Sequence, residues 1–344
     1  MNAVDLTENA IDHLPRWPYK PANAALNYYS QPALSPDGKT LYVGTAQLNG
    51  NQGTLEALVN VERDAKHDPV TLWSYPLTET DPLPGNIYGA ILLDNNVVYF
   101  ADGKGQVFAL NAESGEPAWS QPFQTEARIW SSPVLDADRI YVASQDHHLY
   151  AIDKTSGKQA WRFPADNTEV DALVGSPTLA NGTVYVGSFG GTLYAVNAAT
   201  GQLKWSHQAD GSLWDGPALA NGTLYFGDLS GNVYALDEAT GQNRQWTAKV
   251  EGGVGATPLV AQGVVYIGTD QHRLYALNQD TGGMVWTEGP FTGTDGENML
   301  VTPVLRGDLL IVLPQPAGTD LVQLYGLDKS TGKMVWRYPA AKQQ

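Results

Sequence analysis

The sequence predicts an all-β chain: a single β-propeller, with seven blades of four antiparallel strands each. Three observations predict it. One segment recurs seven times at the spacing of a propeller blade. Each copy divides into short apolar runs bounded by turn residues, as strands do. The 344 residues are 42% hydrophobic and 10% aromatic, enough for a sizeable core, and no apolar run approaches the ~20 residues of a membrane span.

The repeat is read directly. Ala109-Leu-Asn-Ala-Glu-Ser-Gly-Glu-Pro-Ala-Trp119 recurs as Ala151-Ile-Asp-Lys-Thr-Ser-Gly-Lys-Gln-Ala-Trp161, from Ala195 to Trp205 and from Ala276 to Trp286. The copy from Ala235 to Trp246 carries one extra residue, and the copy from Gly326 to Trp336 replaces the leading Ala by Gly. A degenerate first copy runs from Ala57 to Trp73, stretched by the charged insertion from Glu62 to Pro69. The closing tryptophans are Trp73, Trp119, Trp161, Trp205, Trp246, Trp286 and Trp336, separated by 46, 42, 44, 41, 40 and 50 residues. Length alone suggests two domains of ~150 residues, but the repeat outweighs that prior.

Taken in order, residues 1–26 form an N-terminal extension, 27–340 the propeller and 341–344 a short tail. Within the extension, Pro15-Arg-Trp-Pro-Tyr-Lys-Pro21 resembles the outer strand Trp336-Arg-Tyr-Pro339 and is expected to pack on the last blade or cover one end. In the third copy the strands read Ser132–Leu135, Arg139–Ala143, His148–Ile152 and Gln159–Phe163. Asp-Ala-Asp at 136–138, Gln-Asp-His at 145–147 and Lys-Thr-Ser-Gly at 154–157 turn the chain between them. Asp37-Gly38, Asn181-Gly182 and Asn221-Gly222 carry tight-hairpin chemistry elsewhere. Eight blades are the alternative; they would need ~40 more residues, which the chain lacks.

Charge and composition exclude several function classes. Lys and Arg number 20 against 36 Asp and Glu, a net charge of −16, so nonspecific binding to nucleic acid or anionic lipid is not expected. The absence of cysteine removes disulfides, thiolate nucleophiles and cysteine-ligated zinc. Residues 1–12 show no basic segment followed by an apolar one.

The Ala-x-Asp/Asn-x-x-Thr/Ser-Gly-x-x-x-Trp signature resembles the tryptophan-docking motif of the pyrroloquinoline quinone (PQQ) type propeller repeat. The resemblance covers about residues 27–340, with six close copies, and implies that each Trp packs between blades while Gly and Ala make room for it. Fold-level similarity extends to the propeller lipoproteins of the outer-membrane β-barrel assembly machine. This implies an extracytoplasmic chain, periplasmic or at the cell surface, whose signal segment is not part of this sequence; the cytoplasm is the alternative. Quinoprotein dehydrogenases of the same repeat type use a catalytic Asp, calcium and a disulfide of adjacent cysteines. This chain cannot form that disulfide, and its calcium ligands cannot be matched residue by residue. Neither PQQ nor calcium is therefore expected as a cofactor, and no metal site or catalytic residue is assigned.

Candidate binding residues come from the connections between copies, which should share one face with the hairpin joining strands two and three. Three residues before the Pro that opens most first strands stand Tyr29, Tyr88, Trp130, Val174, Trp214, Gly255 and Leu300. Two positions earlier stand Asn27, Asn86, Arg128, Ala172, Ser212, Gly253 and Asn298, pointing the same way because strand side chains alternate. These aromatics either present stacking faces to a ligand or partner, or plug the seams between blades. Asp215, Asp228 and Arg128 are the charged residues expected near that rim. Long hairpins at Gln47–Gly53 and Gln315–Asp320 are expected to lie side by side and offer contact surface. His147 and His148 lie in a turn and are not expected to hold zinc, and Asp102-Gly-Lys-Gly105 joins two strands rather than opening a phosphate-binding helix.

Three functions follow as expectations. The first is a noncatalytic scaffold that binds a protein partner through the loops of this face. The alternative is sugar or small-ligand binding at an aromatic channel mouth, which needs both stacking and hydrogen bonds. A PQQ- and calcium-dependent dehydrogenase is the least supported.

Overall fold

In the computed structural model the described residues are 26–28, 30–47, 49–59, 69–166, 168–289, 291, 302–313 and 324–338. They form 29 β-strands and no helix, in seven antiparallel sheets whose order follows the chain. The fold class is that of a seven-bladed β-propeller, as the repeat predicts. Two compact units divide the chain, Met1–Ser176 and Pro177–Gln344.

The first unit holds three sheets. Strands β2 (Ala33–Leu34), β3 (Thr40–Gln47), β4 (Leu55–Val59) and β5 (Val70–Tyr75) form the first, and β1 (Leu26–Tyr28) adds to the far end of β3 through Leu26↔Gln47 and Tyr28↔Thr45. That fifth strand was not foreseen; β3 is long enough to pair with both β1 and β2. The second sheet runs β6 (Leu92–Asp94), β7 (Val97–Ala101), β8 (Gln106–Asn111) and β9 (Phe123–Gln124). Its outer strand is short because Pro117 and Pro122 withhold donors; only a bridge from Leu110 to Pro117 precedes it. The third runs β10 (Val134–Leu135), β11 (Arg139–Ala143), β12 (Leu149–Asp153) and β13 (Gln159–Phe163). Strand β12 begins at Leu149 rather than at His148, because His147 takes φ 73° to close the preceding turn.

The second unit holds four sheets. They comprise β14 (Thr178–Ala180) to β17 (Leu203–Gln208), β18 (Ala218–Ala220) to β21 (Asn243–Lys249), β22 (Leu259–Ala261) to β25 (Met284–Glu288), and β26 (Val304–Arg306) to β29 (Met334–Tyr338). Between the second and third strands of these sheets, β15 (Thr183–Gly187), β19 (Thr223–Gly227) and β23 (Val264–Gly268) pair with β16 (Thr192–Asn197), β20 (Asn232–Asp237) and β24 (Leu274–Asn278). Asn181, Gly182, Asn221 and Gly222 all have positive φ, from 48° to 70°, as tight hairpins require.

The repeated tryptophan explains why successive sheets pack. Six of the seven sheets carry a bulge immediately after the small residue that faces the Trp, between Ala57/Leu58, Ala151/Ile152, Ala195/Val196, Ala235/Leu236, Ala276/Leu277 and Gly326/Leu327. A bulge re-aims the outer strand locally. Five of the seven indoles reach the turn between strands three and four of the following sheet, where the indole N–H donates to a backbone carbonyl: Trp73 to Ala112 (3.0 Å), Trp119 to Lys154 (2.9 Å), Trp205 to Glu238 (3.1 Å), Trp246 to Gln279 (3.0 Å) and Trp286 to Lys329 (3.0 Å).

The glycine of that receiving turn lies under the ring. At Gly241, φ is 68° and an added Cβ would stand 2.3 Å from Trp205 Cε3. The motif therefore spans two copies, the Trp of one fitting the Gly of the next. A tyrosine on strand two of the Trp's own sheet tilts against it, with Tyr42–Trp73 at 5.9 Å and Tyr225–Trp246 at 6.0 Å between centroids. A side chain with an apolar body and one donor suits a seam of this kind.

Candidate partner-binding surface

The connections between sheets are held on both sides by backbone bonds. Ile87 N donates to Thr45 O at the end of β3 (3.1 Å), while Gly103 N, beyond β7, donates to Asn86 O (2.8 Å). In the second unit Leu213 N donates to Ser188 O (3.1 Å) and Leu229 N to Ser212 O (2.9 Å). Val254 N to Asp228 O (2.9 Å) and Asp270 N to Gly253 O (3.0 Å) repeat the scheme. These bonds place the connections beside the turns between strands two and three, as expected.

Six sheets carry a fully buried polar side chain at this end of the second strand or just beyond it: Thr45, Asp102, Ser144, Ser188, Asp228 and Thr269. Asp102 Oδ2 accepts from Gly85 N (2.6 Å), and Oδ1 from Lys104 N (2.9 Å) and Gln106 N (2.8 Å). Burial pushes the Asp102 carboxyl above its ordinary pKa, against the pull of the N–H donors of Gly85, Gln106 and Lys104.

Alternation decides which side chains reach solvent. Ile87, Ile129, Leu173, Leu213 and Val254 are buried, and Ile87, Ile129, Leu213 and Val254 pack between neighbouring sheets. Ile87 sits so close to Gly44 that a Cβ there would be 2.5 Å from Ile87 Cγ2; Leu213 and Val254 crowd Gly187 and Gly227 likewise. The neighbouring position points outward, where Tyr88 and Trp130 are 40% exposed and Trp214 37%. Aliphatic residues one position away thus crowd the seam glycines Gly44, Gly187 and Gly227, while these aromatics stay partly exposed. Val174 and Gly255, in the same register, are half-buried.

Asn86 is buried and ties several pieces together. Its Oδ1 accepts from Gln47 N (2.8 Å), and its Nδ2 donates to Gly50 O (2.9 Å) and to the Tyr88 hydroxyl (2.7 Å). Asn51 Oδ1 accepts from Asn86 N (2.8 Å), and Asn51 Nδ2 donates to Gly103 O (3.1 Å). The long hairpin 47–53 is therefore pinned to the connection that carries Tyr88. The second long hairpin, Gln315–Asp320, lies outside the described residues, as do Tyr29, Leu300 and the segment Pro15–Pro21.

Of the charged candidates, Arg128 is exposed. Asp215 is half-buried; its Oδ1 accepts from Gly216 N (2.9 Å), and its Oδ2 from Thr257 N (3.1 Å) and Thr257 Oγ1 (3.0 Å). It links two successive connections. Asp228, expected near that rim, lies in the turn there but is fully buried. It accepts from Gly211 N (3.0 Å), Asn232 N and Nδ2 (2.8 Å each) and the Tyr234 hydroxyl (2.9 Å). Four donors saturate it, so it builds the turn and does not face a ligand.

His147 Nδ1 lies 2.6 Å from Val170 O and His148 Nδ1 2.8 Å from Asp146 O, both spent on backbone. Among the described residues no group of three or more His, Cys, Asp or Glu is placed to hold a metal ion.

Sequence reasoning missed Phe189. It lies in the turn after β15, is 48% exposed, and meets Trp214 edge to face at 6.1 Å between centroids. An apolar residue in a short polar turn, Ser188-Phe-Gly-Gly191, was the available signal.

Seven sheets of this repeat, with connections that present aromatic side chains to solvent, are the sheets of a β-propeller. The chain belongs to the family described as outer membrane protein assembly factor BamB, whose model matches residues 65–213 and 209–344. No curated protein sequence matches it. Among solved structures it is similar to BamB from Moraxella catarrhalis, with 17% identity and a TM-score of 0.63, over 88% of this chain and 83% of that one. A computationally designed protein, Ika8, matches with 12% identity and a TM-score of 0.68, over 92% and 88%. Sqt1 from Saccharomyces cerevisiae matches with 13% identity and a TM-score of 0.70, over 91% and 85%. At these identities the structural likenesses speak to the fold alone.

Proposed function

We propose that this protein is a noncatalytic scaffold that works outside the cytoplasm in outer-membrane protein assembly. It binds a protein partner through the connections that carry Tyr88, Trp130 and Trp214, and neither PQQ nor calcium takes part. The family supports the process; the exposed aromatics on a doubly hydrogen-bonded backbone support the surface. That presentation is the observation that carries the reading. Aromatic side chains held rigid before contact lose little entropy on binding and form typical anchors of protein interfaces.

Photocrosslinking amino acids at 130 and 214 provide the test, with a control at the outer-strand position 335. The host should lack its own member of the family. Specific crosslinks to one envelope protein from 130 and 214, absent at 335, are the expected result. Tyr88, Trp130 and Trp214 changed together to Ala should then fail to restore assembly of outer-membrane β-barrel proteins, at unchanged protein level. Full restoration by that triple variant would sink the reading.

A further inference from the structure

We infer that the second sheet carries a pocket for a proline residue of an extended peptide, set among aromatic rings at the break in its outer strand. The inference goes beyond the scaffold surface and does not depend on it.

The break is particular to this sheet. In the third sheet four residue steps on β13, Gln159 to Phe163, face three on β12, Ile152 back to Leu149. In the second sheet six steps, Pro117 to Phe123, face three on β8, Leu110 back to Val107. Two extra residues therefore leave the ladder, and Pro117 and Pro122 have no N–H with which to rejoin it. A cavity of about 30 Å³ opens there, walled by Tyr75, Pro82, Phe108, Pro117, Trp119 and Pro122, all in the first unit. Its aromatic walls are fixed. Tyr75 meets Phe108 edge to face at 5.8 Å, Phe108 stacks on Phe100 at 4.7 Å, and the Trp119 indole is held by Lys154 O (2.9 Å).

Two donors of the lining are unspent. Tyr75 is 1% exposed, and no group of the described residues hydrogen-bonds its hydroxyl. Burial and the Asp81 carboxylate push its pKa up to about 12, so it remains a donor at neutral pH. On β8, Asn111 N donates to Glu116 O (2.8 Å) and Ala109 O accepts from Ala118 N (2.8 Å), so these residues turn their backbone toward the outer segment. Among the described residues the Ala109 N–H has no acceptor there.

Size, charge and hydrogen bonding then select the occupant. One water needs ~10–15 Å³, so the cavity takes about two or three heavy atoms, too few for a sugar ring or a quinone. No lining residue is charged, and a buried charge without a partner is costly. A proline brings ring methylenes for the aromatic walls and carbonyl acceptors for the two donors. It adds no N–H of its own that would need an acceptor. Its fixed φ limits the entropy lost on binding, as in other aromatic-lined grooves that recognise proline stretches.

The probe is the acetylated and amidated peptide Ala-Pro-Pro-Ala, with Ala-Val-Val-Ala and Ala-Ala-Ala-Ala as matches. Each is added to the full chain up to about 10 mM, because so small a contact binds weakly. The readout is the indole N–H resonance of Trp119 in heteronuclear NMR spectra, with Trp246 as control, assigned through Trp119→Phe and Trp246→Phe. A saturable shift at Trp119, severalfold tighter for the proline peptide than for the other two and absent at Trp246, is expected. Tyr75→Phe should weaken that binding severalfold at an unchanged melting temperature. Equal responses to the three peptides, or no response, as when the cavity holds water only, would overturn the proline assignment. So would a Tyr75→Phe variant that binds as tightly as the wild type, or one that melts far lower, since its hydroxyl would then be spent inside the core.

Discussion

Asp102 and Asp228 occupy the same place in two sheets where Ser144, Ser188 and Thr269 stand in others, all fully buried. A hydroxyl satisfies fewer donors than a carboxylate, and the carboxylate accepts them at the cost of desolvation. For Asp102 that cost has a pH signature. Its folded pKa lies above the ordinary value of 3.8, with burial the first cause. The folded state then holds the proton more tightly than the unfolded state, so its contribution falls as pH rises through that window and is constant above it. The stability of the wild type relative to Asp102→Ser should therefore decline as pH rises from 3.8, then level off, in urea unfolding at a series of pH values. A difference that grows with pH would contradict the assignment. Asp328, which accepts from Thr331 Oγ1 and the N–H groups of Thr331 and Ser330 in an exposed turn, is shifted the opposite way. Its contribution is lost only as pH falls below the ordinary carboxylate range.

At the scale of one element, a connection assigns opposite tasks to adjacent residues. Ile87 is buried over Gly44, and Tyr88 next to it faces outward. Ile87→Ala should cost ~2–5 kcal/mol, the usual range for emptying a core site. Trp130→Ala and Trp214→Ala should cost less, about 1 kcal/mol, while losing the partner. Thermal unfolding of the three variants separates the tasks; a large loss at 130 or 214 would make those rings part of the core. The alternation of Ile, Ile, Leu, Leu and Val at 87, 129, 173, 213 and 254 was legible in the sequence. Its meaning was not, because a strand pattern shows two faces without saying which one a neighbouring sheet covers.

Across the whole molecule, seven sheets repeat one design while their connections differ, so shared residues serve the fold and differing ones the surface. The net charge of −16 belongs to this scale. Purified protein should show no retention on phosphatidylglycerol vesicles or duplex DNA at about 0.15 M salt, where charge attraction reaches only about 8 Å. Sedimentation with vesicles and a gel-shift assay check this, and retention by either would mean a basic patch that the charge sum hides.

By itself the sequence determined the architecture. The Trp spacing, the Thr/Ser-Gly turns and the Asn-Gly hairpins are local codes, set by φ angles and side-chain size. In the third sheet, strands Arg139–Ala143 and Gln159–Phe163 fall where the sequence places them. Only the tertiary structure decided which polar and aromatic residues reach solvent. Asp215 and Asp228 look alike in sequence, yet one links two connections and the other is sealed beneath one. Asn86 holds a hairpin 35 to 39 residues earlier, and Phe189 meets Trp214 across two strands and two turns. Exposure is set by what a distant segment packs above a residue, and a repeat writes nearly the same local pattern whether that space is filled or open.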